Sequence, residues 1–557
     1  MDNHLQEPAD SGSIQERGGS QLDSKTRWSI YLLLMTCSLL VVSSRIWQAE
    51  TVGKNGDAVP FFSANDRSRW CTIRSLGDHN TYAIDEVLND DDGENWDTID
   101  KVMHWGPDDK PHFYSSKPTL LSTLCTYPYI AMKYFKGWTL KNNTFDVVRW
   151  TLVISQVVPL FLFFWAVGRI AELVAEAEWT RIFLMACAGF GTYLTTFAIS
   201  LNNHVPAAAC VAVSLYAVIL IWQRRSESVV WYFVAGLTAA LAAAFDLPAL
   251  AFLVSMFSMC LLRSVSKSVL AFVPAVILIL LACYLTNKRA HDDWRTPYAH
   301  RHDGPVLTVI DGVDSKDLVA GNLPDGFLES IQVVRPDLNE NSFENPRLLP
   351  GGWGLDKDKY SYRWVLYFDV KSEPVVLLER VDGFGIEVRQ WNNWYEYPGS
   401  YWMSTNESKS RIDRGEREWS DYLAHLTVGS HGVFTLTPIW FLAVFGLPAL
   451  CVSPQYRLRL LAWVILAISV TVITFYVLRP EVDRNYGGVC SAPRWLFWLI
   501  PLWMVAMIPA LDAISEVKAL RFGALLLLII SMLSAFYAWS NPWVHPWIYE
   551  VFYGVGI

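Results

Sequence analysis

The sequence predicts an all-α polytopic membrane protein of about eleven transmembrane helices, with a mixed α/β segment on its outer face. Three observations predict it. Of the 557 residues, 52% are hydrophobic and only 18% charged, and there are 26 tryptophans, a composition foreign to a purely soluble chain. Apolar runs of roughly 17 to 22 residues recur, each long enough to cross a hydrocarbon core of about 30 Å. The short loops between them carry Lys and Arg on alternate sides only.

The elements follow in order. Residues 1–27 are polar and rich in Gly, Ser, Gln and Asp, the composition of a disordered tail. The apolar runs lie near 28–45, 148–167, 181–200, 205–222, 229–245, 247–262, 269–286, 433–452, 459–478, 495–511 and 522–539. The first lacks a small-residue cleavage site and is followed by Arg45, Ile46 and Trp47, an interfacial anchor rather than the end of a signal peptide. Lys25 and Arg27, Arg224 and Arg225, Arg263 and Lys267, Arg457 and Arg459, and Lys518 and Arg521 all fall on one face when the spans are counted alternately. Retention of cations on the cytoplasmic side then places the N-terminus there. The chain divides into an N-terminal transmembrane region (28–286) containing a first outer loop (46–147), an outer segment (287–432) and a C-terminal transmembrane region (433–557).

The formal charge of −9 is spread without basic clusters, which gives no reason to expect nucleic acid as a partner. The nine cysteines show no paired spacing; only Cys71, Cys125 and Cys490 fall in or near outer loops, and a Cys71–Cys125 disulfide is one option. No cofactor is required, and His425 and His431 are too few to predict a metal centre.

In the first outer loop, "NDRSRWCTIRSL" (65–76) places Arg69, Trp70, Ile73 and Leu76 at helical spacing. This predicts an amphipathic helix in the membrane interface with its arginines near headgroups, and "PYIAMKYFKGW" (128–138) predicts a second. Asn65-Asp66, then Arg69-Trp70, then "SSKPTLL" (115–121) resemble, in order and spacing, the first outer loop of GT-C glycosyltransferases. The closest pattern is that of aminoarabinose transferases and protein O-mannosyltransferases, the family 39-like enzymes, which carry paired acids, an Arg-aromatic helix and a Lys-Pro turn. The resemblance implies transfer of a sugar from a polyprenyl-phosphate donor to a lipid, glycan or protein acceptor on the outer face. In a bacterium that face is the periplasmic side of the inner membrane. This sequence departs from the pattern at Asn65, where the family has an acid. Either Asp66 is the base, or Asp85 or Glu86 of "YAIDEVL" is, or the reaction has been lost.

Glycosyl transfer asks for a carboxylate to orient or deprotonate the acceptor hydroxyl and for cations to stabilise the departing phosphate. Lys117 and Arg69 suit the second role, and Asn65 would contact substrate. "SLNNHVP" puts Asn202, Asn203 and His204 at the outer mouth of the fourth span, where ionisable groups face a cavity or a partner; a helix-capping turn is the alternative. Asp246 in "FDLPAL" is either an N-cap ahead of Pro248 or a site carboxylate. Arg414 and His431 precede the eighth span, and Arg484 and Arg494 lie between the ninth and tenth. This arginine on the outer side runs against the usual bias and points to an anionic ligand. "RQWNNWYEYPGSYWM" (389–403) suits either ring stacking on sugars or an aromatic interface belt. Two other readings stay open: a non-catalytic assembly or receptor protein of the same architecture, and a secondary transporter, for which no internal repeat is evident.

Overall fold

The structure, a computed structural model, describes residues 22–223, 228–313, 320, 326–338, 342, 346–352, 359–368, 372–381, 385–403 and 406–554. The tail over residues 1–21 and the loop cations Arg224 and Arg225 lie outside the described residues.

Among the described residues seven helices are long and apolar enough to cross a membrane: α1 (Ser24–Gln48), then Thr144–Val174, His204–Gln223, Val265–His291, Tyr456–Val477, Arg494–Ile514 and Lys518–Tyr537. Three shorter apolar helices, Val229–Phe245, Leu247–Arg263 and Pro438–Cys451, match three further runs. The chain is a helix-rich membrane protein. The run at 181–200 is the exception, because its helix stops at Phe190. Gly191 packs so closely that a Cβ there would meet Leu528 Cδ1 at 2.7 Å. Beyond it, Tyr193 Oη donates to the Ser534 carbonyl (2.9 Å) and Thr196 Oγ1 to that of Ala535 (2.9 Å). The outer half of this run is therefore held by the last span instead of by its own helical ladder. At the opposite end of the bundle Arg27 is locked by Glu172 (2.6 Å) and Glu178 (2.7 Å).

The first outer loop folds inward. Its helix α2 (Ala64–His79) starts with a reciprocal capping box between Ser63 and Asp66 and ends on Asn80 at φ 57°. Expected to lie among headgroups, α2 is instead buried. Arg74 is paired with Asp90 and with Asp92 (3.1 Å) and lies 4.6 Å from the Trp96 ring; Arg67 donates to the Asp97 carbonyl (2.8 Å). The acidic run 89–97 supplies the counter-ions of Arg74 and a carbonyl acceptor for Arg67. Cys71 and Cys125 are both buried free thiols, so the disulfide option is not realised. The second helix, α3 (Thr119–Lys136), does keep an exposed apolar side, with Tyr127, Ile130, Tyr134 and Phe135.

Two small antiparallel pairs, β1 (Thr51–Val52) with β2 (Ala58–Val59) and β3 (Lys101–Trp105) with β4 (Pro111–Ser115), complete the loop. The outer segment 287–432 contains a five-stranded antiparallel sheet, ordered β5-β9-β8-β7-β6: β5 (Val306–Ile310), β6 (Arg347–Gly352), β7 (Tyr360–Tyr367), β8 (Val375–Arg380) and β9 (Ile386–Gln390). Strand alternation sends Trp364, Leu366, Val375 and Leu377 to one face, under the helix Phe327–Val334. Val365, Tyr367, Val376 and Leu378 go to the other, against Tyr82, Val102 and Tyr114 of the first loop. Both faces are covered, which is why "VVLL" in β8 is continuously apolar.

The aromatic stretch 389–403 joins the two outer pieces. Met103 N donates to the Trp394 carbonyl (2.9 Å) and Trp402 Nε1 to that of Ile99 (2.7 Å). Its rings are thus docking elements, not a free stacking surface. At the same seam His104 stacks on Tyr114 (4.0 Å) and its Nε2 meets His291 Nδ1 at 3.0 Å. His104 Nδ1 donates to the Trp105 carbonyl (3.1 Å), so its Nε2 accepts from His291 Nδ1, and protonating His104 there breaks the bond. Burial lowers the His104 pKa to about 4. A depressed histidine contributes stability fully present above pH 6.5 and lost as pH falls toward 4. The expected loss from His104 is on the order of 3 kcal/mol across that window. Acid unfolding followed by near-ultraviolet circular dichroism checks this: His104→Gln should flatten the slope between pH 6.5 and 4, and an unchanged slope would refute it.

Candidate functional site

Four chain segments meet at one end of the helices: the first two turns of α2, the turn ahead of the span His204–Gln223, the residue after Val229–Phe245, and the start of Arg494–Ile514. Asn202 opens the second of these. Its Oδ1 accepts from His204 N and Val205 N (both 3.0 Å), while its Nδ2 holds Gln156 Oε1 (3.1 Å). Asn202 therefore does the capping, and Asn203 and His204 are left to make tertiary contacts.

Those contacts form one chain of hydrogen bonds. Asn65, one turn before Arg69 on α2, offers Nη1 its main-chain oxygen (2.9 Å) and its side-chain oxygen. Arg69 Nη2 donates to Asn203 Oδ1 (2.6 Å), Asn203 Nδ2 to Asp246 Oδ1 (3.1 Å), and Asp246 Oδ2 lies 2.8 Å from His204 Nδ1. His204 Nε2 lies 3.1 Å from Arg494 Nη1, and Arg494 Nη2 donates to the Gly487 carbonyl (2.8 Å). Gly487 has φ +91°, and a Cβ there would sit 2.8 Å from Arg494 Nε, so this close approach needs glycine. A guanidinium can only donate, so His204 Nε2 accepts; Nδ1 then carries the proton and donates to Asp246. Asp246 bonds side chains, and no side-chain cap is formed ahead of Pro248.

The charge balance matters. Arg69, Asn65, His204, Asp246 and Arg494 are all buried. Among the described residues neither Arg69 nor Arg494 has a carboxylate within ion-pair distance: their partners are amides, carbonyls and a neutral imidazole. Burial pulls the Arg69 pKa down from its ordinary value, the nearby Arg494 charge adding to this, with Asp100 and Asp66 opposing. Buried cations satisfied by neutral groups form a site complementary to an anion.

Lys117 is close by and spoken for. Its Nζ, on a buried side chain, pairs with Asp100 Oδ2 (2.9 Å), which is partly exposed. Ser68 of α2 ties this pair to the helix by donating to the Asp100 carbonyl (2.6 Å). Asp66 is fully buried and serves the helix start. Oδ1 accepts from Ser63 N (2.8 Å), Arg67 N (2.9 Å) and Ser63 Oγ (3.0 Å), and Oδ2 accepts from Phe62 N (3.1 Å). Burial raises its pKa against those bonds.

The other sequence candidates lie outside this chain of contacts. Asp85 binds His112 Nδ1 (3.1 Å) and Phe113 N (3.2 Å), holding β4, while Glu86 is largely exposed beside His79 (2.5 Å). Arg414 is exposed and donates to the carbonyls of Glu407 (2.7 Å) and Lys409 (3.2 Å); Arg484 donates to that of Arg417 (2.6 Å). His431 is buried, stacked on Tyr486 at 4.0 Å. Among the described residues no three His, Cys, Asp or Glu side chains converge on a metal position. Asp100 is the participant that nothing in its local sequence, "DTID", would single out.

No protein-family model and no curated protein matches the chain. Among solved structures the chain is similar to the oligosaccharyltransferase of Archaeoglobus fulgidus in its apo form, at 11% identity and a TM-score of 0.40, covering 92% of this chain and 56% of that one. It is similar to the same organism's oligosaccharyltransferase AglB in complex with an inhibitory peptide and a dolichol-phosphate, at 11% identity, TM-score 0.40 and coverages of 94% and 57%. A third likeness is to that oligosaccharyltransferase tethered to an acceptor peptide containing the NVT sequon, at 10% identity, TM-score 0.42 and coverages of 94% and 56%. The chain thus spans less than two thirds of the length of these structures.

Proposed function

We propose that this chain is a membrane glycosyltransferase of the GT-C type that moves a sugar from a polyprenyl-phosphate donor to an acceptor on the outer, periplasmic face of an inner membrane, its N-terminus cytoplasmic. The observation that carries the reading is the pair of buried guanidiniums, Arg69 and Arg494, bridged by Asn203, Asp246 and His204 at one end of the helices with no carboxylate among the described residues directly paired to either. In the reaction the acceptor oxygen bonds to the anomeric carbon, the bond from that carbon to the phosphate oxygen breaks, and the acceptor proton passes to a base. Arg69 and Arg494 hold the departing phosphate, and Lys117 reaches it by loosening its pair with Asp100. Asp66 is the carboxylate whose charge acts on Arg69 from the same helix, and it takes the base role if its capping bonds yield. Asp85 and Glu86 are the other candidates on this loop.

The capture of Asp66 by its capping box favours a second reading, a protein of the same architecture that binds a lipid phosphate without turning it over. One experiment separates the two. Purified protein is assayed for turnover and binding of a panel of polyprenyl-phosphate sugars. Loss of turnover in Asp66→Asn with binding kept supports the transferase, and Arg69→Gln and Arg494→Gln should each weaken binding about tenfold or more. Binding without turnover in the parent selects the second reading, and no binding at all overturns both.

A further inference from the structure

The C-terminal stretch after the last span has no role in the site so far described. Residues Asn541–Pro546 form neither helix nor strand, yet they are pinned over Arg494. Ser491 N donates to the Pro542 carbonyl (3.0 Å), and Trp547 Nε1 donates to Ser534 Oγ (2.7 Å). The Arg494 guanidinium lies 4.6 Å from the Trp543 ring, and that ring also meets Phe197 at 5.8 Å.

Three polar atoms in this patch are buried without a hydrogen-bond partner: Arg494 Nε, Ser491 Oγ and Trp543 Nε1. Ser491 is completely buried and Arg494 nearly so. Leaving such a group unsatisfied is costly, because its lost hydration is not replaced. Arg494 Nη1 and Nη2 each donate already, to His204 and to Gly487, while Nε has no partner. An indole N–H only donates, and a hydroxyl donates as well as accepts. A charged donor beside an indole N–H and a hydroxyl that can donate suits an anionic oxygen.

We infer that Ser491 and Trp543 bind the phosphate oxygens of the ligand together with Arg494, under a strap formed by Asn541–Pro546. The inference rests on the reading that the Arg69–Arg494 site takes a phosphate. The strap supplies the indole N–H, and the stack on Trp543 holds the guanidinium plane so that Nε faces the ligand.

The test uses the full chain in detergent micelles, titrated calorimetrically with farnesyl monophosphate and, separately, with inorganic phosphate. Trp543→Phe keeps a ring on Arg494 and removes only the N–H; Ser491→Ala removes only the hydroxyl. Each is expected to weaken phosphate binding about tenfold with the circular dichroism spectrum unchanged. If the parent binds and both variants bind within about twofold of it, Ser491 and Trp543 do not touch the ligand and the inference falls while the proposed function stands. Parent binding of inorganic phosphate as tight as that of the lipid, weakened in both variants, supports the contacts and removes the lipid donor. A parent that binds neither overturns both.

Discussion

Asp246→Ala is expected to lower the thermal midpoint of the purified protein sharply and to abolish binding of a lipid phosphate. Asp246 is the carboxylate of the relay, receiving Asn203 at 3.1 Å and His204 at 2.8 Å. Removing it strands the buried His204 Nδ1 donor, leaves Asn203 Nδ2 only the Phe245 carbonyl (2.8 Å), and leaves Arg69 and Arg494 without the charge that offsets them from the next position along. Breaking a buried charged network from one side costs about 3–5 kcal/mol. Asp246→Asn is expected to rescue only part of this. Its oxygen can accept from either His204 or Asn203, and its amide nitrogen then faces a donor. Asn203 cannot turn to compensate, because its own oxygen accepts from Arg69 (2.6 Å). Thermal unfolding in detergent, read alongside calorimetric binding, decides the matter. An alanine variant with an unchanged midpoint would show that the relay does not hold these helix ends together.

The second large effect belongs to the outer sheet. Arg363 on β7 spans two carboxylates, Asp303 through Nε (3.0 Å) and Nη2 (2.6 Å) and Glu396 through Nη1 (2.5 Å) and Nη2 (2.6 Å). Side-chain exposures of 6% for Arg363, 9% for Asp303 and 4% for Glu396 put the whole triad out of water. Arg363→Ala strands two buried carboxylates, with an expected loss of about 3–5 kcal/mol. Arg363→Lys should recover little, because an ammonium cannot bridge both partners in the planar fork that a guanidinium provides. Glu396 closes the turn that carries Trp394 onto Met103 of the first loop, so the sheet should loosen from the loop as well as within itself. Limited proteolysis is the readout, with new cleavage expected between residues 346 and 403 while the transmembrane helices stay intact. Equal resistance in parent and variant would refute it.

The placement of most apolar helices was legible in the chain alone, because length and hydropathy are one-dimensional quantities and a membrane selects on them directly. The polar residues at helix mouths were legible for a related reason. Asn203, His204, Asp246 and Arg494 stand out against apolar surroundings where an ionisable group needs a partner. Which partner each takes was not. Asp246 suits an N-cap as well as a site, and only the approach of Asn203 and His204 at 2.8–3.1 Å chose between them. Arg67 and Arg74 have the spacing of an interfacial helix, yet an acidic run some 20 residues later folds back to bury Arg74 and bind Arg67. Asp66 carries the motif position of a base, and the local geometry of Ser63 makes it a cap. The 181–200 run has the hydropathy of a span, and side-chain contacts with the final helix interrupt it. Hydropathy and helical periodicity are properties of a segment, so the sequence by itself determined most of the apolar helices and the polar residues at their ends. Pairing of charges is a property of distance between segments, so only the tertiary structure decided that Arg69 and Arg494 share one buried relay and that Lys117 answers to Asp100.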